Sequence, residues 1–277
     1  MKEKMDKVQA QTLILKNSIT EVDINQSTCP FCGSPQEVVG NEIIRKHHMY
    51  DYCRCGEMTE YLQKQKELSL MEDQLIKMTA EFEKSRLEAL KQLASSGIGK
   101  RFINATFDNY DKGCNMKAYE IAHEYAENFD CSDGKGLIFT GGVGTGKTHL
   151  AAAIANRVAD KFAARIEFET FSEAIAEIKS AFSDSKNDKH LEKRMCEADL
   201  LVLDDLGKET RSPFNDELLY RVVNYRYKDK LPIVITSNLR MEFLVRTFDY
   251  AVMSRLMEIC KAVNMQGNDY RVRDYLS

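Results

Sequence analysis

The chain has 277 residues, 43% of them hydrophobic and 30% charged, with four prolines and a formal net charge of −4. That length supports one core of roughly 150–200 residues plus a smaller unit, and the composition excludes a largely disordered chain. The negative balance argues against a general polyanion coat but leaves room for a local basic groove, and no apolar run approaches the roughly 18 residues of a membrane span.

In chain order, the N-terminal run Leu13–Leu15 is broken by Lys16, too short for a signal-peptide core, so a cytoplasmic protein with no membrane partner is expected. Residues 1–28 read as partly helical and then polar. Residues 29–57 hold four of the eight cysteines, as Cys29-x-x-Cys32 and Cys53-x-Cys55, about 20 residues apart and each pair followed by a glycine. Four thiolates in such knuckles fit a closed, structural Zn²⁺ site, with His47 or His48 as alternative ligands. A region of about 60 residues with few apolar side chains gains folding energy from such a metal. The scattered Cys114, Cys131, Cys196 and Cys260 read as small core residues.

From Thr59 to Leu93 there is no Gly or Pro, and Leu68, Met71, Leu75, Met78 and Phe82 recur at 3-4-3-4 spacing, which predicts a long helix. Its seam suits a coiled coil, a partner protein or a fold-back on the chain itself. The Ser/Gly stretch 94–102 is the expected linker. The expected domains are therefore 1–58 (zinc-binding), 59–96 (long helix and linker) and 97–277.

In the last of these, GLIFT (136–140), RIEFET (165–170), DLLVLDD (199–205) and PIVITSN (232–238) read as buried strands separated by helical patterns, which predicts an α/β fold with a parallel sheet covered by helices. Between the first strand and the helix KTHLAAAIANRVADKF lies G-x-x-x-x-G-K-T. Gly141, Gly142, Val143, Gly144, Thr145, Gly146, Lys147, Thr148 and His149 form the candidate phosphate cradle: the glycines let backbone amides approach phosphates, Lys147 reaches the β/γ-phosphates of ATP, and Thr148 ligates Mg²⁺. The strand LLVL delivers Asp204, expected to hold Mg²⁺ through water, and Asp205, expected to orient the attacking water; alone, such a pair also suits a helix cap. Asn238, ending another strand, would sit beside that pair if the strands are neighbours.

RFINATFDNY, GGVGTGKTHLAAAIAN, LLVLDDLG, IVITSNL, VMSRLMEIC and GNDYR follow one another through residues 97–277. In this order they resemble the AAA+ P-loop ATPases, and within them the DnaC/DnaI-type helicase loaders and their IstB-like relatives. The resemblance implies that Arg255 is an arginine finger reaching into a neighbouring subunit's ATP and that Arg271 is the sensor-2 arginine, so that hydrolysis reports self-assembly. It also implies a single-stranded-DNA element at Lys179 and Phe182, in IKSAF, where a phosphate contact and a stacking face would combine; without the resemblance Phe182 reads as a core residue. Many AAA+ proteins carry Glu where this chain has Asp205, which is shorter by one methylene, and Glu209 is a nearby carboxylate that could share the role. The implied function is an ATP-dependent loader of a hexameric replicative DNA helicase onto single-stranded DNA in a bacterial or phage-infected cell, the zinc domain gripping the helicase. An IstB-like transposition helper and a nucleotide-locked adaptor or inhibitor remain alternatives.

Overall fold

The structure is a computed structural model that describes residues 2–19, 30–33, 55–113, 115–181, 190–267 and 269–270. It contains two compact units, Met1–Glu83 and Lys84–Ser277. The division falls inside the long helix, not at the Ser/Gly stretch.

In the first unit, α1 (Lys2–Ser18) runs against the middle turns of α2 (Gly56–Ser95). The Thr79 hydroxyl lies 3.7 Å from the Met5 sulfur, and Lys16 pairs with Glu72 at 3.7 Å, so the two helices are antiparallel. Along α1 the less exposed positions Met5, Val8, Thr12 and Leu15 repeat the 3-4-3 spacing, and Leu68 and Phe82 of α2 are buried. The seam thus meets the chain's own first helix, because two matched apolar stripes of period 3.5 cover each other.

In the second unit the expected linker is packed. Ala89 and Leu93 of α2 and Ile98 beyond it join the large core, and α3 (Gly99–Phe102) follows directly. The Gly97 N–H donates to Glu169 Oε1 at 3.2 Å.

After α4 (Met116–Glu127) come β1 (Gly136–Gly141), α5 (Lys147–Phe162), β2 (Ile166–Thr170), α6 (Phe171–Ala181), α7 (His190–Glu197) and β3 (Leu200–Asp204). The chain continues through α8 (Pro213–Lys228), β4 (Ile233–Ser237), α9 (Met241–Thr247), α10 (Tyr250–Ile259) and β5 (Cys260–Met265). The five strands are parallel in the order β2-β3-β4-β1-β5. Side-chain alternation splits the strands between two apolar layers. Phe139, Phe168, Val202 and Val234 pack with α4, α5 and the end of α2, whereas Ile138, Leu201, Leu203 and Ile235 pack with α6, α7, α8 and α10. Burial on both faces is why these strands read as continuous apolar runs. Strand β5 was not expected: it leaves α10 without a break, and Lys261, Ala262 and Asn264 are exposed on this sheet edge, so its sequence lacks the apolar run. Cys196 and Cys260 are buried as expected, but Cys131 is exposed on a turn, a correction to its reading as a core residue, and Cys114 lies outside the described residues.

The edge strand β2 carries two inward carboxyls on one face. Glu167 is held by Arg194 through two contacts of 3.1 Å, while Glu169, almost fully buried, accepts the Gly97 N–H. Burial, reinforced by the charge of Glu167, raises the Glu169 carboxyl from 4.5 to about 7. The folded state therefore holds a proton that the unfolded chain releases near 4.5; this contribution is complete below 4.5 and is lost as pH rises to about 7. Glu169→Gln keeps an acceptor for Gly97 and offers N–H groups toward Glu167. It is expected to raise the melting temperature by about 5 °C at pH 8, equivalent to roughly 2 kcal/mol, and to change it little at pH 4.5. A gain of equal size at both pH values would sink the account of a proton held on Glu169.

Candidate nucleotide site

All five strands point the same way, so the ends of β1, β3 and β4 open on one edge of the sheet. Because β4 lies between β1 and β3, with Thr140 opposite Ser237 and Leu203 opposite Ile235, the loop after β1 and the acidic pair after β3 flank the β4 end. This is the crevice outside the carboxyl ends of strands where open α/β sheets bind ligands.

The loop Gly142–Gly146 turns directly into α5. At Gly141, φ is +135°, and a Cβ there would collide with the Met265 carbonyl of β5; at Gly146, φ is +91°, and a Cβ would lie 2.8 Å from the Tyr110 ring. No other residue type fits both the backbone and the space. The Lys147 side chain is buried and donates to the carbonyls of Gly141 and Gly142 at 2.9 and 2.6 Å. A helix N-terminus behind a glycine loop, with an ammonium group inside the curl, can bind a chain of phosphates.

Thr148, one residue on, donates its hydroxyl to Asp204 Oδ1 and Oδ2 at 3.0 and 3.2 Å. Asp204 also accepts from the Thr236 hydroxyl, whose oxygen accepts the Asp205 N–H at 3.0 Å. Burial raises the Asp204 carboxyl above its ordinary value, the bonds from Thr236 and Thr148 oppose the rise, and the adjacent Asp205 charge adds to it. A hydroxyl and a carboxylate side by side at the phosphate end are hard oxygen donors suited to Mg²⁺.

Asp205 has left the strand. Its φ of +57° is unusual for a residue with a Cβ and swings the carboxyl toward the cavity, where Oδ1 accepts from Asn238 Nδ2 at 3.0 Å and Oδ2 pairs with Lys208 Nζ at 2.6 Å. Glu209 instead accepts the Gly207 N–H at 3.3 and 3.1 Å and does not line the cavity.

Lys147, Thr148, Asp205, Lys208 and Asn238 line a cavity of about 320 Å³, with Asp204 behind Thr148. Residues 143–149, Asp205 and Asn238 form one side, and Arg101, Phe102, Asn104, Asn109 and Tyr110 form the other. The His149 ring packs on Tyr110, with its Nε2 3.0 Å from the Thr106 carbonyl. Tyr270 closes one end, its N–H donating to the Gly144 carbonyl at 3.1 Å. Nothing in the local sequence marks Asn104, Asn109, Tyr110, Thr236, Lys208 or Tyr270 as part of the site. RFINATFDNY was noted as a whole, but its asparagines and tyrosine meet the loop only through folding.

Arg255 lies elsewhere, on α10. Its Nη1 donates to the Ala251 carbonyl at 2.8 Å, and its guanidinium packs over Tyr220 and Tyr227 at 5.5 and 5.6 Å. It does not line its own chain's cavity. Lys179 on α6 sits 5.1 Å from the Phe214 ring centroid. Phe182 and Arg271 lie outside the described residues, as do Cys29, Cys53, His47 and His48. Cys32 and Cys55 are described; near them the Phe31 ring contacts Tyr61 at 5.6 Å, and the Met58 N–H donates to Cys55 Sγ at 3.4 Å. Among the described residues no three His, Cys, Asp or Glu side chains cluster as metal ligands, and no helix is long and apolar enough to cross a membrane.

The family model described as IstB-like ATP binding protein matches residues 56–277. The replicative helicase loader DnaC of Escherichia coli strain K12 is 32% identical over 164 residues, which cover 58% of this chain and 66% of that protein, just under two thirds of its length. The phage-like element PBSX protein XkdC of Bacillus subtilis strain 168 is 31% identical over 242 residues, 82% of this chain and 86% of that protein. Among solved structures, a crystal structure of the DnaC helicase loader superimposes with a TM-score of 0.56 at 29% identity, covering 61% of this chain and all of that one. A crystal structure of DnaI superimposes with a TM-score of 0.53 at 24% identity, covering 62% and 93%; it speaks to the fold alone.

Proposed function

Because this chain belongs to the IstB-like ATP-binding family and, within it, to the AAA+ group of the DnaC/DnaI helicase loaders, we propose that it is an ATP-dependent loader of a hexameric replicative DNA helicase onto single-stranded DNA in the bacterial cytoplasm. The observation that carries the reading is the convergence of Lys147, Thr148, Asp204, Asp205 and Asn238 on one crevice, in a chain whose match to the family model spans the same residues.

In this reading the loop amides and Lys147 bind the phosphates of ATP, and Thr148 and Asp204 hold Mg²⁺, directly or through water. The metal supplies charge neutralisation at the β/γ-phosphates. Asp205 orients the attacking water, with Asn238 fixing its carboxylate. Arg255, stacked on tyrosines away from its own cavity, serves the site of a neighbouring subunit, and Arg271 serves its own. Lys179 and Phe182 hold the DNA strand. Cys29, Cys32, Cys53 and Cys55 bind a structural Zn²⁺ in the N-terminal region, which grips the helicase.

One observation favours a second reading, a nucleotide-locked adaptor with little turnover: Asp205 has both carboxylate oxygens engaged by protein partners.

A pull-down of the cognate replicative helicase tests the proposal. The full chain, carrying one zinc per molecule, should retain the helicase, a chain lacking residues 1–83 should not, and ATPase activity should respond to single-stranded DNA and fall in Arg255→Ala. If the full chain retains no helicase the loader reading fails, and turnover indifferent to Arg255 removes the trans finger.

A further inference from the structure

The two side chains that hold Asp205 differ in freedom. Asn238 is half-buried at the end of β4, between the turn after β3 and the loop after β1. Lys208 is 56% exposed on the cavity rim, at the end of a long stem, with Nζ 2.6 Å from Asp205 Oδ2. Asp205 itself is pinned. Its left-handed backbone, with φ +57°, is held by the N–H bond to Thr236 Oγ1, and its carboxylate is held on one side by Asn238 Nδ2 at 3.0 Å. A sparsely populated backbone kept at such a site points to a functional constraint.

A carboxylate that orients a water must offer it both a lone pair and negative charge. An ammonium group at 2.6 Å offsets that charge and takes one acceptor site of Oδ2, while Asn238 takes one of Oδ1. Of the two partners, the one that can leave is the exposed, flexible lysine. We propose that Lys208 is a positioning residue that restrains ATP hydrolysis in cis: its ion pair holds Asp205 unproductive, and turnover requires the ammonium to swing away. The inference rests on the reading of Asp205 as the water-orienting carboxylate. Exposed ion pairs of this kind shift an equilibrium by a factor of about five at most, so the restraint tunes the rate without setting it to zero.

The test is steady-state ATPase of the full chain with saturating ATP and Mg²⁺, comparing wild type, Lys208→Ala, Lys208→Arg and Lys147→Ala as the background. Lys208→Ala is expected to raise kcat about two- to fivefold with KM unchanged within about twofold. Lys208→Arg, which keeps a cation beside Asp205, is expected to hold the rate down. A kcat in Lys208→Ala equal to or below wild type overturns the proposal, as does an equal rise in Lys208→Arg. If wild type and Lys208→Ala both remain at the Lys147→Ala background, the ion pair is not what withholds turnover and the restraint is rejected. Fluorescent ATP-analogue binding then decides the underlying reading separately: bound analogue leaves the nucleotide site standing, and no binding removes it too.

Discussion

Lys147→Ala is expected to abolish the response of this protein to ATP while leaving its fold in place. The amine is buried within the curl of the loop and held by the Gly141 and Gly142 carbonyls, so in the proposed reading it is the cation a phosphate chain would meet there. Losing a preorganised group of this kind costs about 100- to 1,000-fold in turnover. Binding gives an independent readout: at ATP concentrations of about 100 times Kd, a bound ligand stabilises the folded state by about 2.7 kcal/mol. Wild type should show the corresponding rise in melting temperature and the variant should not, although their ligand-free melting temperatures should agree within a few degrees. A variant that keeps the ATP-induced rise would show that the phosphates sit elsewhere.

Arg226→Met is expected to produce the largest loss of stability. Arg226 is fully buried, yet no carboxylate pairs with it among the described residues. Nη1 donates to the carbonyls of Met195, Cys196 and Ala198 at 2.9, 3.1 and 2.9 Å, and Nη2 to the Pro232 carbonyl. Burial lowers the guanidinium to about 10, still well above neutrality, so the group stays charged. It thereby caps the C-terminal carbonyls of α7 and ties them to the entry of β4, satisfying acceptors that the helix leaves open. Each buried carbonyl left without a donor costs about 1–3 kcal/mol; with partial relaxation, about 4 kcal/mol is expected for the four together. Against a net stability of about 5–15 kcal/mol this is a large fraction. The urea midpoint should fall by about 2 M. Lys at this position should recover little, because one ammonium cannot span four carbonyls from two segments. A shift below about 0.5 M would mean that water or a rearranged α7 replaces the cap.

Neither residue was equally visible beforehand. Lys147 was legible because the chemistry is local: the glycines, the lysine and the threonine are consecutive, and a strand and a helix bracket them. Asp204 and Asp205 were legible for the same reason, closing an apolar run. Arg226 sits among Tyr225, Tyr227 and Lys228 in an ordinary amphipathic helix, and nothing adjacent to it announces that its partners are carbonyls some 30 residues earlier. The Ser/Gly stretch 94–102 misled for a related reason: its small residues suit a linker, but Ile98 and Glu169 bind it to the core and to the β2 edge. Strand β5 was hidden because an edge strand keeps only half of its side chains inside.

The sequence by itself determined the parallel α/β class, the glycine loop between a strand and a helix, the acidic pair and the long helix with its seam, because each depends on a period or on neighbours within a few residues. The tertiary structure alone decided that β4 lies between β1 and β3, which brings Asn238 to Asp205 and Thr236 to Asp204, and that RFINATFDNY forms the far wall of the cavity. It alone placed Lys208 on the Asp205 carboxylate and turned the α2 seam onto α1. Strand order follows from how two apolar faces are covered at once, and that is a property of the whole packed sheet, to which no short stretch of residues gives access.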